Sequence, residues 1–509
     1  MGIFMKHKLV FENRAAGILL PLSSLPSEYG IGSMGKQAYN WLDFLSNAGQ
    51  RYWQVLPLGP TSYGDSPYQS LSAFAGNSYF IDFELLQEQQ LLKPQEYQKE
   101  FWGKSKNSVD YGILFQNRKN VLKKAFQRFD DKNALQKFRE LNAHWLDDYA
   151  LYMSIKSHNK HRPWTMWDET VRLREPKALM SYKNLLKQDV DYYIFEQYIF
   201  FQQWNRLRNY AAEKNIEIIG DIPIYVSLDS SDVWAKRELF QLDNQGLPTS
   251  VAGVPPDYFC ADGQLWGNPL YKWDVLKEDG YKWWIERMKS SFELYDVVRI
   301  DHFRGLESYY SVPYGHDTAK NGTWKPGPGM DFVNAIKKEF ANARIIAEDL
   351  GFLTDEVHQL LQKSGFPGMK ILQFAFDSRE ESDYTPYRYR KNSVVYTGTH
   401  DNDTVKGWTK SAPNSFVELA MDYMNCRHKR DMTMSFIRTA FQTASNLAVV
   451  PMQDWLNLDS RARINIPATM GGNNWRWRMT DTQINAQLIK NIKHITKLYG
   501  RFNQTSPKK

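Results

Sequence analysis

Cysteine is scarce in this sequence: two residues, Cys260 and Cys426, occur among 509. Two thiols are too few for a disulfide framework, and their spacing fits no metal-binding pattern. The 10 histidines form no recognisable ligand array either, such as His-Glu-x-x-His. We therefore expect two reduced thiols in a cytoplasmic protein, and no bound metal.

Long apolar runs and long runs of one charge are also missing. The apolar segment 17–22 is too short and too strand-like to be a signal peptide or a membrane span. The 64 basic and 57 acidic residues give a net charge of +7 that is spread along the chain, without the basic stripe typical of nucleic-acid-binding proteins. We expect no membrane partner and no nucleic-acid partner, and a monomer or a weak homo-oligomer.

Aromatic residues, in contrast, are abundant. They make up 15% of the chain, with 17 Trp and 29 Tyr, and many lie near Gly, Pro and Asn in predicted loops. A flat ring with a polar tip suits the apolar C–H face of a sugar, so the loop-borne aromatics favour a carbohydrate ligand. The alternative for any single Trp is that it fills a large core.

Eight short apolar segments have the pattern of buried strands, and helical patterns separate most of them. Strands that alternate with helices are parallel. Eight of them predict an α/β fold of the (β/α)8 TIM-barrel type, with the loops that follow the strands gathered on one face. The predicted strands are residues 17–22, 52–57, 216–222, 296–301, 344–349, 369–374, 393–399 and 447–451. The predicted helices are residues 36–45, 108–129, 133–159, 193–213, 281–293, 331–339, 354–363, 430–445 and 482–498.

Two connections are too long for plain barrel loops. Residues 61–187, after the second strand, contain helical patterns and are predicted to form a mostly helical insertion. Residues 227–280, after the third strand, are rich in Gly, Pro, Asp and Trp and are predicted to form an ordered lid. The residues after 451 are too few for a C-terminal β-sandwich domain, so residues 1–509 are interpreted as a single barrel domain.

A glycine-rich segment, residues 30–36, has the spacing of a dinucleotide-binding motif and nearly that of a phosphate-binding loop. However, Gln37 stands where the loop would need a hydroxyl to hold Mg²⁺. No acid lies near position 52, where a ribose partner would be expected. We interpret the segment as the entry to a helix.

Three predicted strands change from apolar residues to acids and histidines where they end. They are Val298-Arg299-Ile300-Asp301-His302, Ile346-Ala347-Glu348-Asp349-Leu350 and Tyr396-Thr397-Gly398-Thr399-His400-Asp401-Asn402. Because parallel barrel strands end on one face, these side chains are expected to converge on one acid-lined pocket. A structural network of salt bridges is the alternative, but three such segments together favour an enzyme.

The pattern also suggests different roles for two of the acids. Arg299 lies two residues before Asp301, so both side chains point to the same face of a strand. The guanidinium there would keep Asp301 ionised, as a nucleophile requires. Glu348 follows apolar residues and should have a raised pKa, which suits a general acid. Neighbouring strands lie about 4.8 Å apart, close to the roughly 5 Å that separates the carboxyl groups of a retaining glycosidase.

The remaining polar residues of these segments suit sugar binding. Asp401 is a third acid that could hold the hydroxyls of a distorted sugar ring. His302 and His400 each adjoin an acid and are expected to donate hydrogen bonds to sugar hydroxyls.

With these three segments, further motifs closely resemble the amylomaltase (disproportionating enzyme) family of 4-α-glucanotransferases over nearly the full chain. They are Gly64-Asp65-Ser66-Pro67-Tyr68, Gly220-Asp221-Ile222-Pro223-Ile224-Tyr225-Val226, Gly253-Val254-Pro255-Pro256-Asp257-Tyr258-Phe259, Gly263-Gln264-Leu265-Trp266-Gly267-Asn268-Pro269, Arg463-Ile464-Asn465-Ile466-Pro467 and Asn474-Trp475-Arg476-Trp477-Arg478. One residue departs from the family pattern: Ala468 stands where glycine is expected.

The resemblance implies roles for individual residues. Asp301 resembles the nucleophile that forms a covalent glucosyl-enzyme, Glu348 the acid/base, and Asp401 the stabiliser of the transition state. The residues that resemble those around the transferred sugar are Arg299, His302, His400, Asp221 and Tyr68, the last by stacking on the sugar. The residues that resemble the lid near the acceptor sites are Tyr258, Phe259 and Trp266.

The reaction implied is the retaining transfer of an α-1,4-glucan segment from one maltodextrin to another. Its partners would be α-1,4-glucans and maltooligosaccharides, and it needs no cofactor because two carboxylates supply both nucleophile and proton. Two alternatives remain open. One is a hydrolase with the same acids and water as acceptor, and the other is a non-catalytic glucan-binding protein.

Overall fold

Eight parallel strands form one sheet that curls into a nearly closed barrel in the computed structural model, which describes residues 9–256, 261–351, 353–377, 379 and 382–502. The strands are β1 (Ala15–Leu19), β2 (Tyr52–Gln54), β3 (Glu217–Pro223), β4 (Val297–Asp301), β5 (Ile345–Ala347), β6 (Gly368–Ile371), β7 (Ser393–Tyr396) and β8 (Leu447–Pro451). Consecutive strands are neighbours in the sheet from β1 to β5 and from β6 to β8, β8 pairs with β1, and β5 and β6 are the two edges of the sheet. The predicted barrel is confirmed.

The barrel strands are apolar because both of their faces are covered. In β8 all five residues, Leu-Ala-Val-Val-Pro, are buried, and the same holds for β1, Ala-Ala-Gly-Ile-Leu. The strands end earlier than predicted, notably β2, β5 and β7. The acids at positions 348 and 401 therefore lie in the loops just beyond their strands.

Helices cover the outside of the barrel at the predicted places. They are Lys36–Asn47, Lys187–Glu213, Lys282–Leu294, Gly329–Glu339, Asp355–Ser364, Met432–Gln442 and Ala486–Leu498. Shorter helices that the sequence pattern did not indicate are Ser231–Ala235, Trp273–Glu278, Val405–Ser411, Asn414–Tyr423 and Met452–Trp455.

The connection between β2 and β3 is largely helical. Its helices are Phe83–Glu88, Tyr111–Arg128, Lys132–Leu141, Leu146–His158, Glu169–Arg172 and Pro176–Leu185. The single helix predicted over 133–159 is wrong, because the chain turns at 142–145. There the Asn142 side chain donates to the Phe138 carbonyl at 2.9 Å, and the Trp145 indole donates to Asn142 Oδ1 at 3.2 Å. These local bonds compete with continuation of the helix. The division of the chain at residues 61–187 and 227–280 stays a prediction.

A second, antiparallel sheet lies beyond β3 and β4. Its strands are Ser250–Val254, Gln264–Pro269, Ser308–Pro313 and Thr323–Pro326. Ser250–Val254 pairs with both Gln264–Pro269 and Ser308–Pro313. The predicted lid segment is thus joined to a hairpin from the next barrel loop, which the sequence pattern did not indicate.

None of the helices in the described ranges is both long and apolar enough to cross a lipid bilayer.

The C-terminal segment is anchored to the barrel through Arg501. Its side chain is fully buried, and its nitrogens donate hydrogen bonds to five backbone carbonyls. Those carbonyls belong to Ala15, Phe441, Thr443, Ser445 and Asn446. Burial lowers the pKa of Arg501 to about 9, so the guanidinium still carries its charge at neutral pH. It joins the entrances of β1 and β8.

We expect Arg501→Met to lower the free energy of unfolding by about 3 kcal/mol, because it removes five hydrogen bonds from a buried, charged donor to backbone carbonyls. Urea denaturation followed by tryptophan fluorescence measures the change. The matched control is Arg461→Met, since Arg461 is almost fully exposed and pairs with nearby Asp459 on the surface. That variant should change stability by less than about 0.5 kcal/mol. Equal midpoints for the two variants would contradict the anchoring role.

Candidate active site

Asp301 and Glu348 lie side by side at one end of the barrel. Ile300 of β4 pairs with Ala347 of β5, so the residues that follow, Asp301 and Glu348, come next in the same register. Asp301 is the last residue of β4, and Glu348 directly follows β5. The C-terminal ends of barrel strands are where such folds place their chemistry.

Arg299 organises the polar interior of the barrel below this pair. Asp221 of β3 is its partner in the strand register, and Nη1 donates to both Asp221 carboxylate oxygens at 2.7 and 2.6 Å. Nη2 lies 2.8 Å from Asp301 Oδ1, and Nε donates to Met369 Sδ at 3.3 Å. Each guanidinium nitrogen thus has its own partner, and the predicted contact between Arg299 and Asp301 is present.

The electrostatics of Asp301 are dominated by burial. Burial raises the pKa of Asp301 to about 6; the charge on Arg299 opposes the rise, and the charge on Asp221 adds to it. The guanidinium therefore orients the carboxylate and favours its ionised form, but it does not cancel the cost of desolvation. Asp301 is ionised above about pH 6.

Glu348 is held by backbone amides. Its Oε2 accepts from the N–H of His302 at 2.6 Å, and its Oε1 accepts from the N–H of Leu350 at 2.9 Å. Burial, and then the negative charge of Asp301, raise the pKa of Glu348 to about 8. The rise has the direction expected from the apolar strand. At neutral pH the pair of Asp301 and Glu348 thus consists of one ionised and one protonated carboxyl group.

Asp401 lies in the loop after β7 and has the opposite protonation behaviour. Partial burial acts against its ionisation, but the neighbouring His400 and the Asn465 amide outweigh it and lower the pKa of Asp401 to about 2. His400 Nε2 lies 3.2 Å from Asp401 Oδ2, and Asn465 Nδ2 donates to Oδ1 at 2.7 Å. Asp401 is therefore ionised throughout the neutral range.

An aromatic stack borders the three acids. The Tyr68 ring lies parallel to the His400 ring, with centroids 5.0 Å apart and planes at 17°. The Tyr68 hydroxyl donates to Asp221 Oδ2 at 2.7 Å. Trp475 packs against both rings, at 5.8 Å from Tyr68 and 6.0 Å from His400. One face of Tyr68 is thus covered by His400, so a sugar could stack only on the other face.

His302 stands next to Asp301 in a left-handed conformation, with φ of 55°. Burial, with a smaller contribution from Arg304, lowers the pKa of His302 to about 3, so the imidazole is neutral. Its Nε2 atom is buried and has no hydrogen-bond partner in the part of the chain that the structure describes. Trp266, from the antiparallel sheet, lies edge-on to His302 at 4.8 Å. The lid and the barrel meet at this contact.

The structure adds two residues to the site that have no role in the sequence pattern. Asn465 binds Asp401 through its side chain, and the Arg463 guanidinium donates to the Asp401 carbonyl at 2.6 Å. Both lie more than sixty positions from Asp401, so their spacing carries no signal, although they belong to a motif that resembles the family. Ala468, nearby, has φ of 58°, the left-handed region that explains why glycine is expected there.

Two predicted lid residues, Tyr258 and Phe259, lie outside the described residues. In the described ranges, no three His, Cys, Asp or Glu side chains form a group that could hold a metal ion.

Comparison with known proteins agrees with this geometry. A model of the 4-α-glucanotransferase family, glycoside hydrolase family 77, matches residues 20–484. The chain is 48% identical to a 4-α-glucanotransferase from Clostridium butyricum, over 94% of this chain and 99% of that protein. It is 48% identical to one from Streptococcus pneumoniae, over 97% of this chain and 98% of that protein.

A solved structure, the amylomaltase from Streptococcus agalactiae in complex with acarbose, superposes with a TM-score of 0.94 at 41% identity, over 96% of this chain and 100% of that one. An amylomaltase from Corynebacterium glutamicum shares the fold, with a TM-score of 0.75 at 17% identity over 96% of this chain and 75% of that one. Because the matches span nearly all of its length, the chain belongs to the 4-α-glucanotransferase family, glycoside hydrolase family 77.

Proposed function

We propose that this 4-α-glucanotransferase moves α-1,4-glucan segments between maltooligosaccharides, with Asp301 as nucleophile and Glu348 as acid/base. One observation carries the assignment. The two carboxyl groups lie next to each other at the ends of neighbouring strands, and burial together with the different charges beside them sets their pKa values at about 6 and about 8. Near pH 7 the first can attack and the second can give a proton.

In the first step an Asp301 carboxylate oxygen attacks the anomeric carbon of the donor glucan. The bond from that carbon to the glycosidic oxygen breaks, and Glu348 gives its proton to the departing 4-oxygen. The product is a glucosyl ester on Asp301, with the configuration at the anomeric carbon inverted. Arg299, which contacts Asp301 Oδ1, orients the carboxylate for the attack.

In the second step Glu348, now ionised, takes the proton from the 4-hydroxyl of an acceptor glucan. The acceptor oxygen attacks the anomeric carbon and releases Asp301, so the original configuration returns. Asp401 is ionised and partly exposed, which suits it to binding ring hydroxyls of the distorted sugar. His302 Nε2, which is buried and without a partner among the described residues, is suited to a sugar hydroxyl.

The lid favours a sugar over water as acceptor. Trp266 is held by its own strand, where its indole donates to Gln264 Oε1 at 3.2 Å, and its ring packs perpendicular to the ring of His302. Its carbonyl accepts from Gln69 Nε2 at 3.4 Å, which links the lid to the loop that carries Tyr68. An aromatic wall here would stack on an acceptor sugar and keep water from the reactive ester. The same acids would serve a hydrolase if water were admitted, whereas a non-catalytic binder would not need a paired nucleophile and acid.

We expect Asp301→Ala and Glu348→Gln each to lower kcat for transfer at least about a thousand-fold, because each removes a covalent or a proton-transfer role. An α-maltosyl fluoride separates the two roles, since fluoride leaves without needing a proton. Fluoride release should recover in Glu348→Gln but not in Asp301→Ala, with circular dichroism as the control for folding. Equal recovery in both variants would mean that the roles are misassigned.

The kcat/KM for transfer should have a maximum between about pH 6 and about pH 8. Activity falls below the lower value because Asp301 takes up a proton, and it falls above the upper value because Glu348 loses one. Initial rates with maltotriose over pH 4 to 10 measure both limbs. With the fluoride donor, Glu348→Gln should keep the acid limb and lose the alkaline one. An alkaline limb that persists in that variant belongs to another group.

The wild-type enzyme, given maltotriose alone, should form glucose together with chains longer than maltotriose.

Trp266→Ala should lower chain lengthening at least about five-fold more than it lowers hydrolysis, because the intermediate becomes open to water. Leu265→Ala is the matched control, since Leu265 is exposed on the same strand. Product sizing by chromatography measures both rates. If transfer and hydrolysis fall by the same factor in Trp266→Ala, this Trp only packs the lid.

A further inference from the structure

The wall of the barrel has a seam between β5 and β6. These two strands are the edges of the eight-stranded sheet, and in the described ranges they share no ladder. The Ala347 N–H donates a backbone hydrogen bond to the Pro367 carbonyl, at 3.0 Å, just before β6 begins. The seam runs directly below Glu348.

The carboxylate of Asp349 closes this seam. Asp349 is 2% exposed, and its Oδ1 accepts from the Met369 N–H at 2.6 Å, in place of a backbone carbonyl. Gly368 makes room for it, because a Cβ at that position would lie 2.5 to 2.8 Å from the carboxylate atoms. A buried carboxylate costs free energy unless it makes such bonds. The side chain therefore supplies a hydrogen bond between two strands where the backbone ladder does not.

Two contacts connect the hydrogen bond between Asp349 and Met369 to the catalytic carboxyl groups. Asp349 lies between Glu348 and Leu350, and the Leu350 N–H is one of the two donors to Glu348. On the other side, the side chain of Met369 accepts from Arg299 Nε at 3.3 Å, while Arg299 Nη2 contacts Asp301. A displacement of Asp349 would thus change the positions of both Glu348 and Asp301.

We propose that Asp349 is a positioning residue: by accepting the Met369 amide it fixes the backbone that presents Glu348 and the thioether that steadies Arg299 against Asp301. The inference rests on the proposed roles of those two acids. What matters is the acceptor oxygen at the seam, and the negative charge of Asp349 is not required. Burial in fact raises the pKa of Asp349 to about 6 despite nearby Lys370.

The test compares two substitutions of similar size. Asp349→Asn keeps an oxygen for the Met369 amide and should keep kcat within about five-fold of wild type. Asp349→Leu has no acceptor and should lose about a hundred-fold in kcat, with KM changed less than about three-fold, because substrate contacts remain and the reacting groups are misplaced. Gly368→Ala, which pushes the native carboxylate out of the seam, should behave like Asp349→Leu.

The acid limb of the pH profile distinguishes positioning from loss of stability. The charged groups that act on Asp301 are Arg299, Asp221, His400, Asp401 and Glu348. In Asp349→Leu and Gly368→Ala the guanidinium of Arg299 is held less firmly against Asp301, so it favours the ionised form of Asp301 less. The acid limb should therefore move to higher pH by about half a unit. It should stay in place in Asp349→Asn, although that variant has no titrating group at 349. Arg501→Met, which is destabilised at the other end of the barrel, should keep both kcat and the acid limb.

Three results would overturn the proposal. If kcat falls as far in Asp349→Asn as in Asp349→Leu, the negative charge of Asp349 is needed and an acceptor oxygen alone is not sufficient. If the acid limb stays in place in Asp349→Leu and Gly368→Ala, Asp349 closes the barrel and does nothing more. The same follows if the kcat of both variants falls no further than the kcat of Arg501→Met. Activity retained in Asp301→Ala or Glu348→Gln would instead refute the proposed roles, whatever the seam variants do.

Discussion

The guanidinium of Arg299 is the contact on which the rest of the site depends. Only 4% of its side chain is exposed, and its partners come from β3, β4 and β6. Asp221 alone takes both bonds of one terminal nitrogen, which leaves the other terminal nitrogen for Asp301. A cation inside a barrel is tolerable only when fixed partners surround it. The strands that meet at Arg299 are thereby held in the arrangement that the reaction requires.

Burial raises the pKa of both reacting carboxyl groups, and their neighbours create the difference between them. Both are desolvated, and in both cases desolvation is the largest influence on the pKa. Asp301 has the guanidinium of Arg299 beside it, whereas Glu348 has Asp301 beside it. Glu348 therefore holds its proton more tightly than Asp301 does. Asp401, next to His400 and Asn465, stays ionised well below the range of the other two. Three similar side chains thus occupy three protonation regimes, because their neighbours differ.

Much of the fold could be predicted because its signals are local. Eight continuous apolar segments, alternating with helical patterns, identify parallel strands buried on both faces, and the barrel follows from their number. The predictions went wrong where a local side-chain bond overrides the pattern, as at Asn142, which divides a predicted helix. They also missed the antiparallel sheet, since its strands come from two different barrel loops and its outermost strand, Thr323–Pro326, is exposed throughout. Such pairing has no periodicity within one segment.

The sequence by itself determined the barrel and the family, through its apolar segments and its motifs. It also predicted the three acids of the site, because each acid directly follows or ends an apolar strand or adjoins a motif histidine. Only the tertiary structure decided which distant groups contact those acids and the residues that hold them. Asn465 reaches Asp401, and Met369 reaches Arg299, across 64 and 70 positions of the chain. Asp349 likewise bonds to an amide of the following strand, across a seam that exists only once the barrel closes. Contacts of this kind depend on strand register and burial in three dimensions, which no spacing along the chain encodes.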